Sequence, residues 1–444
     1  MPQLKPNQIL ITKEGERLQV VSLIAEGGQG EVYKVILGNQ SYALKWYHIP
    51  STPAQIKQSQ EQYEALQNYL LKNTAPDPRF LWPITTVHDA KKRSFGYLME
   101  LLEPRFQGLE KLVLGKMRPV PKFKTLCKAA IGLAECFRKL HNMGACYKDI
   151  NLGGPFIDPA TGEVRICDTD NVRVNKTPGN IIFIFFAAPE LIRNEGICQT
   201  NTDIHSLAVL LFYMFVRHHP LDGKRELQIN VFNEIAQRKF YGREPIFIFD
   251  PHNESNRPVP GFHDGVIRNW KLYPRFFQRL FTRAFTDGLV DPNKRIREGE
   301  WMENLSKLRD CLYYCQNCGS ENFFDFEQES LGQDHSCWRC KTTSGLPMRI
   351  TIGDRNIFLN HDSCLFPHHL GERLNFSTPA AMINQHPKDP RRWGLKNQTK
   401  TPWVYTTRDG QTRTAETGRS VPLMHGLEIE FGSSRGVIKI NNKR

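Results

Sequence analysis

The chain has 444 residues, with 59 basic and 46 acidic side chains, a formal net charge of +13, and 40% hydrophobic against 24% charged residues. That length suits two or three domains, and the composition excludes both a disordered chain and a miniprotein held together by disulfides. The most apolar runs, 181–186 and 207–216, are far shorter than the roughly 20 residues that cross a bilayer, and the opening MPQLKPNQILITKEGERLQV lacks the charged start, apolar core and cleavage site of an export signal.

A cytoplasmic protein without a membrane partner is therefore expected. The positive surplus is diffuse: from residue 311 onward 17 basic residues stand against 13 acidic ones, and no basic tail or block occurs anywhere. Specific nucleic-acid binding is not expected, and the charge reads as solvated surface with a general attraction for phosphate-bearing and acidic partners.

In chain order, residues 11–50 alternate apolar and polar positions between glycine clusters, as strands and tight turns do. Residues 53–72 place Ile56, Tyr63, Leu66 and Leu70 on one helical face. Short strands are expected at 85–87 and 95–101, and helices at 123–140 and 204–216. Residues 250–265 read as a loop rich in Pro, Asn and His, and residues 301–314 as a helix. Strands and turns return from 349, with pieces at 349–352, 403–406 and 427–431. A small β-rich lobe followed by a larger helical one is an α+β pattern.

Four pieces of this pattern carry chemistry. Gly27, Gly28 and Gly30 lie between two strands, where missing side chains let backbone N–H groups approach phosphate. Lys45 ends an apolar strand, so an inward-pointing ammonium there needs a carboxylate or phosphate. Tyr147-Lys148-Asp149-Ile150-Asn151 follows a helix, and Asp168-Thr169-Asp170 follows a short strand. Two acidic loops behind a glycine turn and an inward lysine suit a nucleotide with its divalent metal.

Over residues 15–310 these pieces resemble a eukaryotic-type protein kinase fold. The resemblance implies that Gly27, Gly28, Gly30, Val32 and Ala43 line an ATP site and that Lys45 holds the α and β phosphates. Glu64 would be its helix partner, with Glu61 as a competitor. It further implies Met99 as gatekeeper, Glu100, Leu101 and Leu102 as the adenine-binding hinge, Asp149 as the catalytic aspartate and Asp168 as the magnesium ligand. Ala188-Pro189-Glu190 matches the end of the activation segment, with Arg295 as the buried partner of Glu190.

Three departures bear on activity. Gly154 stands where the family has a metal-binding Asn, Asn151 replaces a lysine, and Thr-Asp rather than Phe-Gly follows Asp168. Asn151 or Asp170 would have to supply the missing oxygen ligand. Otherwise ATP binds while transfer is slow or absent, and the protein is a pseudokinase scaffold. In the activation segment Phe183 stands where Ser/Thr kinases commonly have threonine, and residues 180–186 read either as core or as an apolar docking surface. Thr169 and Thr177 are the hydroxyls between Asp168 and Glu190.

Cys315, Cys318, Cys337 and Cys340 form two C-x-x-C pairs, the ligand set of a closed structural zinc site. Cys311 and His335 are near enough to compete. From residue 346 the chain resembles a forkhead-associated domain, on Ile352-Gly353-Asp354-Arg355, Leu395-Lys396-Asn397 and the strand at 427–431. That resemblance maps phosphothreonine recognition to Arg355 and Ser363, with His368 and His369 displaced from the usual spacing; a docking sandwich without phosphopeptide binding is the alternative.

The expected organisation is thus a bilobal kinase-like domain (1–310), a four-cysteine zinc ribbon (311–345) and an all-β forkhead-like sandwich (346–444). This order resembles bacterial Ser/Thr kinases of the tellurium-resistance-associated stress systems, whose partners are a von Willebrand factor A protein and a PP2C-type phosphatase. The resemblance implies ATP- and Mg²⁺-dependent phosphorylation of a partner protein or of the kinase itself.

Overall fold

The structure, a computed structural model, describes residues 2–88, 94–177, 184–332, 335–343 and 345–440. Phe183 and most of the apolar run before Ala188 lie outside the described residues. The chain forms two compact units, Met1–Ile267 with Leu280–Met302, and Arg268–Arg279 with Glu303–Arg444. The regions expected as a separate ribbon and sandwich fall within one unit.

The first unit opens with strands β1 (Ile9–Thr12), β2 (Arg17–Glu26), β3 (Gly30–Leu37) and β4 (Gln40–Tyr47), then helix α1 (Pro53–Asn68), then β5 (Thr85–His88) and β6 (Phe95–Glu100). The strands close into a barrel in the order β1-β2-β3-β4-β6-β5. Leu10 opposes Leu18 on one side of β1, and Thr12 opposes Val87 on the other. Alternation sorts the side chains: Val20, Val35, Leu44, Trp46 and Leu98 fill the barrel core. Lys45 and Tyr47 on β4, with Phe95, Tyr97 and Met99 on β6, take the opposite face.

Helix α1 starts at Thr52, whose hydroxyl accepts from Gln55 N while the Gln55 side chain accepts from Thr52 N, with Pro53 in the first turn. It ends at Asn68 and tightens into a 3-10 turn at Leu70–Lys72. Of the expected helical face, Leu66 and Leu70 are buried and Tyr63 meets Phe95 edge-on at 5.1 Å, whereas Ile56 is exposed.

The large lobe is built on the helices Phe123–Asn142 and Thr200–Val216. The second is apolar around most of its circumference and buried along nearly its whole length, as such a sequence requires. The helix expected at 301–314 is instead Glu298–Asp310, followed by a strand Leu312–Tyr314 paired with Glu321–Phe323. Leu-Tyr-Tyr is β-favouring, and it leads into the first cysteine pair. No helix among the described residues is long and apolar enough to cross a membrane.

The second unit carries two antiparallel sheets. One has six strands, in the order Arg355–Phe358, Arg349–Ile352, Arg435–Lys439, Glu428–Glu430, Trp403–Thr406 and Thr412–Ala415. The other has four: Cys364–Leu365, Ala381–His386, Asp389–Asn397 and Ser420–Pro422. Ile350, Trp403, Ile429 and Ile438 from the first sheet share one apolar core with Leu365, Ile383, Leu395 and Val421 from the second, the arrangement of a β-sandwich.

Candidate active site and metal centre

Three backbone features bring the acidic loops to Lys45. Lys45 lies opposite Tyr97 in the β4–β6 ladder, and Tyr47 is two residues further on the same face. Asp168 adopts a left-handed conformation (φ 51°) that starts the 3-10 turn Thr169–Asn171. That turn is fixed by the Thr169 hydroxyl donating to Leu81 O at 2.9 Å and by Arg173 Nη1 donating to Asp170 O.

The Lys45 ammonium consequently donates to Asp168 Oδ1 at 3.0 Å and to Asp170 Oδ1 and Oδ2 at 2.9 and 3.0 Å. Burial alone pulls its pKa down, but the Asp170 and Asp168 carboxylates outweigh burial and hold it above the usual lysine range. Asp170 also accepts from Tyr47 Oη at 2.5 Å and from Tyr97 Oη at 3.0 Å. These donors and Lys45 outweigh the burial penalty and keep its carboxyl below the ordinary range.

The expected partnership of Lys45 with α1 is not made. Glu64 and Glu61 are both exposed, because α1 packs through Tyr63, Leu66 and the buried Gln62. Sequence reasoning does not single out Tyr47 and Tyr97; their positions, two residues after the lysine and on the facing strand, are the signal that could have found them.

Asp149 is buried, and burial together with the neighbouring Asp168 charge raises its carboxyl to about 6. Its loop is held from below. Asp203 Oδ1 accepts from Lys148 N at 3.1 Å, and Asp203 Oδ2 accepts from Tyr147 N and from His141 Nε2, the latter at 3.1 Å. The other His141 nitrogen donates to Glu298. Arg295 forks onto Glu190 at 2.8 and 2.7 Å, in the arrangement expected of that pair.

Asn151 turns to its own backbone. Its amide donates to Asp149 O at 3.0 Å and its Oδ1 accepts from Gly153 N at 2.7 Å, so the side chain braces its own turn. Asp170 is fully buried and occupied by Lys45 and two tyrosines. Both side chains are thus committed to protein partners, whereas Asp168, bonded to Lys45 through one oxygen, keeps a side chain 44% exposed.

The glycine turn fits a phosphate unevenly. A Cβ on Gly28 would meet nothing within 4 Å, and one on Gly27 only Gly30 O at 3.8 Å, so packing does not demand glycine at either position. Gly30 is different, since a Cβ there would lie 2.2 Å from Trp46 O. Its glycine serves the approach of β3 to β4. Val32 lies opposite Lys45 and Ala43 opposite the buried Met99, followed by exposed Glu100 and half-buried Leu101 and Leu102 at the end of β6.

Residues 18–260 match the protein kinase domain. The chain belongs to this family. Over 230 residues it is 26% identical to a probable LIM domain-containing serine/threonine-protein kinase of Dictyostelium discoideum, covering 50% of this chain and 34% of that one. Over 198 residues it is 23% identical to protein kinase gsk31 of Schizosaccharomyces pombe, covering 42% of this chain and 50% of that one. The chain thus spans between a third and half of these relatives' length. Among solved structures, the autoinhibited serine kinase domain of titin aligns at a TM-score of 0.46 and 13% identity, over 64% of this chain and 78% of that one.

In the second unit the four expected sulfurs converge. Cys315 Sγ lies 3.6 Å from Cys340 Sγ, Cys318 Sγ lies 3.6 Å from Cys337 Sγ, and all four lie within 4.8 Å of one another. A zinc tetrahedron with bonds of about 2.3 Å has sulfur–sulfur edges of about 3.8 Å, so the set fits that ion. Each pair closes a tight turn: Gly319 N donates to Cys315 O at 2.8 Å, and Lys341 N to Cys337 O at 2.9 Å. Cys311 and His335 are not part of the cluster.

The residues mapped to phosphothreonine recognition have internal duties. Arg355 lies 3.5 Å from Glu303 and 3.8 Å from Asp310. Ser363 Oγ donates to Phe358 O and accepts from Asn360 N, at 2.8 and 2.9 Å, which shapes the loop after Arg355–Phe358. His368 and His369 are buried.

Proposed function

We propose that the chain is an ATP- and Mg²⁺-dependent Ser/Thr protein kinase that phosphorylates a partner protein. The observation that carries this is the bond between Lys45 and Asp168 with a buried Asp149 close enough to feel both charges, in a chain whose Gly27 and Gly28 are not demanded by packing. In this reading Gly27 and Gly28 admit the phosphates, Ala43, Val32 and Met99 line the base pocket, and the hinge at Glu100–Leu102 offers backbone to adenine. Magnesium bound at Asp168 would neutralise phosphate charge. Asp149 orients the acceptor hydroxyl and takes its proton.

The four-cysteine cluster holds a structural zinc in this reading, and the sandwich is a docking module without phosphopeptide recognition, because Arg355 and Ser363 are occupied internally. Membership of a bacterial stress module with a von Willebrand factor A protein and a PP2C-type phosphatase rests on the resemblance in domain order, and cytoplasmic residence goes with it. Incubating the full chain with labelled ATP and these partners, beside Asp149→Ala, tests the assignment. Transfer should fall at least a hundredfold in the variant, and transfer unchanged by the substitution would sink it.

A second reading is favoured by one observation: a Cβ at Gly154 would lie 2.9 Å from the Tyr147 hydroxyl, so the family's metal-binding Asn has no room there. A scaffold that binds nucleotide without turnover would show nucleotide binding and no label transfer under the same conditions.

A further inference from the structure

A buried ammonium needs a carboxylate beside it, and for Lys45 that carboxylate does not come from α1. Two carboxylates compete for it, and they differ in kind. Asp170 has a fully buried side chain, engages Lys45 through both oxygens, and is fixed by the hydroxyls of Tyr47 and Tyr97. Asp168 has a side chain 44% exposed and makes a single bond to Lys45, at 3.0 Å.

Resting on the nucleotide reading above, we propose that Asp170 is the fixed anchor of Lys45, a positioning residue that takes the duty expected of Glu64, and that Asp168 is the partner Lys45 gives up when nucleotide and metal bind. Lys45 then keeps its orientation through Asp170 while Asp168 turns to the metal. Helix α1 gives Lys45 no carboxylate in this arrangement, since the ammonium's carboxylate partners are Asp168 and Asp170. Its Glu61 and Glu64 are exposed to solvent, so neither carboxylate is the lysine's partner.

The test is the affinity of the full-length chain for a fluorescent trinitrophenyl-ATP, in EDTA and in Mg²⁺, with label transfer measured in parallel. The double variant Glu61→Gln/Glu64→Gln should bind and turn over within about twofold of the wild type. Asp170→Asn, which breaks charge-assisted hydrogen bonds to Lys45, should weaken binding about tenfold in both EDTA and Mg²⁺. Asp168→Asn should leave binding in EDTA intact and lose only the gain from Mg²⁺, a contrast that general loosening of the fold does not produce. Should Asp170→Asn fail to fold, Tyr47→Phe removes one Asp170 donor and should weaken binding in the same metal-independent way, by about threefold.

A loss in the glutamate double variant that matches the Asp170→Asn loss overturns the anchor, as does unchanged binding in a folded Asp170→Asn. If the wild type binds nucleotide with this pattern but transfers no phosphate, the anchor stands and the kinase reading fails. If the wild type binds no nucleotide, both fail.

Discussion

The Tyr147 hydroxyl donates to the carbonyl of Cys167, one residue before Asp168, and its oxygen lies 2.9 Å from where a Cβ on Gly154 would sit. The ring is buried and packs edge-on against Phe137 at 5.6 Å, so it has little room to yield. The absence of Asn at 154 is therefore the counterpart of an aromatic residue at 147.

Restoring Asn at 154 alone should destabilise rather than activate. Gly154→Asn is expected to cost about 1–3 kcal/mol through overpacking, with no gain in phosphate transfer. The pair Tyr147→His/Gly154→Asn should recover most of that loss. Thermal melts and label transfer on the two variants check both halves of the statement.

The proton-accepting role proposed for Asp149 would set an acid limit on transfer. Burial raises its carboxyl to about 6, and only the ionised form accepts a proton, so the rate should fall about tenfold per pH unit below that value. An ordinary aspartate would hold its rate down to about pH 4. A single-turnover pH profile between roughly 4.5 and 8, at saturating ATP, reads the position of the limb.

His141 sets an alkaline limit on stability. Burial disfavours its charge, but Asp203 and Glu298 outweigh burial and raise it to about 9 from an ordinary value of 6.5. A histidine whose pKa rises on folding contributes stability that is complete below its unfolded value and lost as pH climbs through the folded one. About 3 kcal/mol should disappear between roughly pH 6.5 and 9. The melting temperature of the wild type should fall across that window, and His141→Phe should start lower and change less.

The four-cysteine cluster should hold one zinc per chain, measurable by metal analysis of protein purified without added metal. A strong chelator at neutral pH should remove it and make residues 311–345 the first site of proteolysis, because so small a segment depends on its ion. Cys337→Ser should purify without zinc and show the same cleavage unprompted.

The meeting of Lys45 with the Asp168–Asp170 loop involves residues the sequence singles out, because local spacing specifies them. A glycine turn between strands, a strand-end lysine and aspartates after short strands keep their identity whatever packs around them. The partner of Lys45 is not legible in the same way. The choice between Glu64 and Asp170 depends on which face of α1 is buried, and Tyr63 and Leu66 settle that only in three dimensions. Asn151 and Ser363 carry the right chemistry for ligands but turn it toward their own backbone, which short-range hydrogen bonding favours for such residues. The C-terminal strands at 349–352 and 403–406 are readable to their observed ends because turn residues flank them.

A sheet with open ends presents unpaired N–H and C=O groups that another chain can extend. In the small lobe β1 and β5 satisfy one another, Ile11 with His88 and Thr12 with Val87. Among the described residues of this lobe the closed barrel leaves no open sheet end for a further strand to join. On the described strands the offer to a partner is side chains, among them Ile9 and Ile11 at 43% and 46% exposure, so recognition there is encoded in side-chain shape and charge rather than in strand addition.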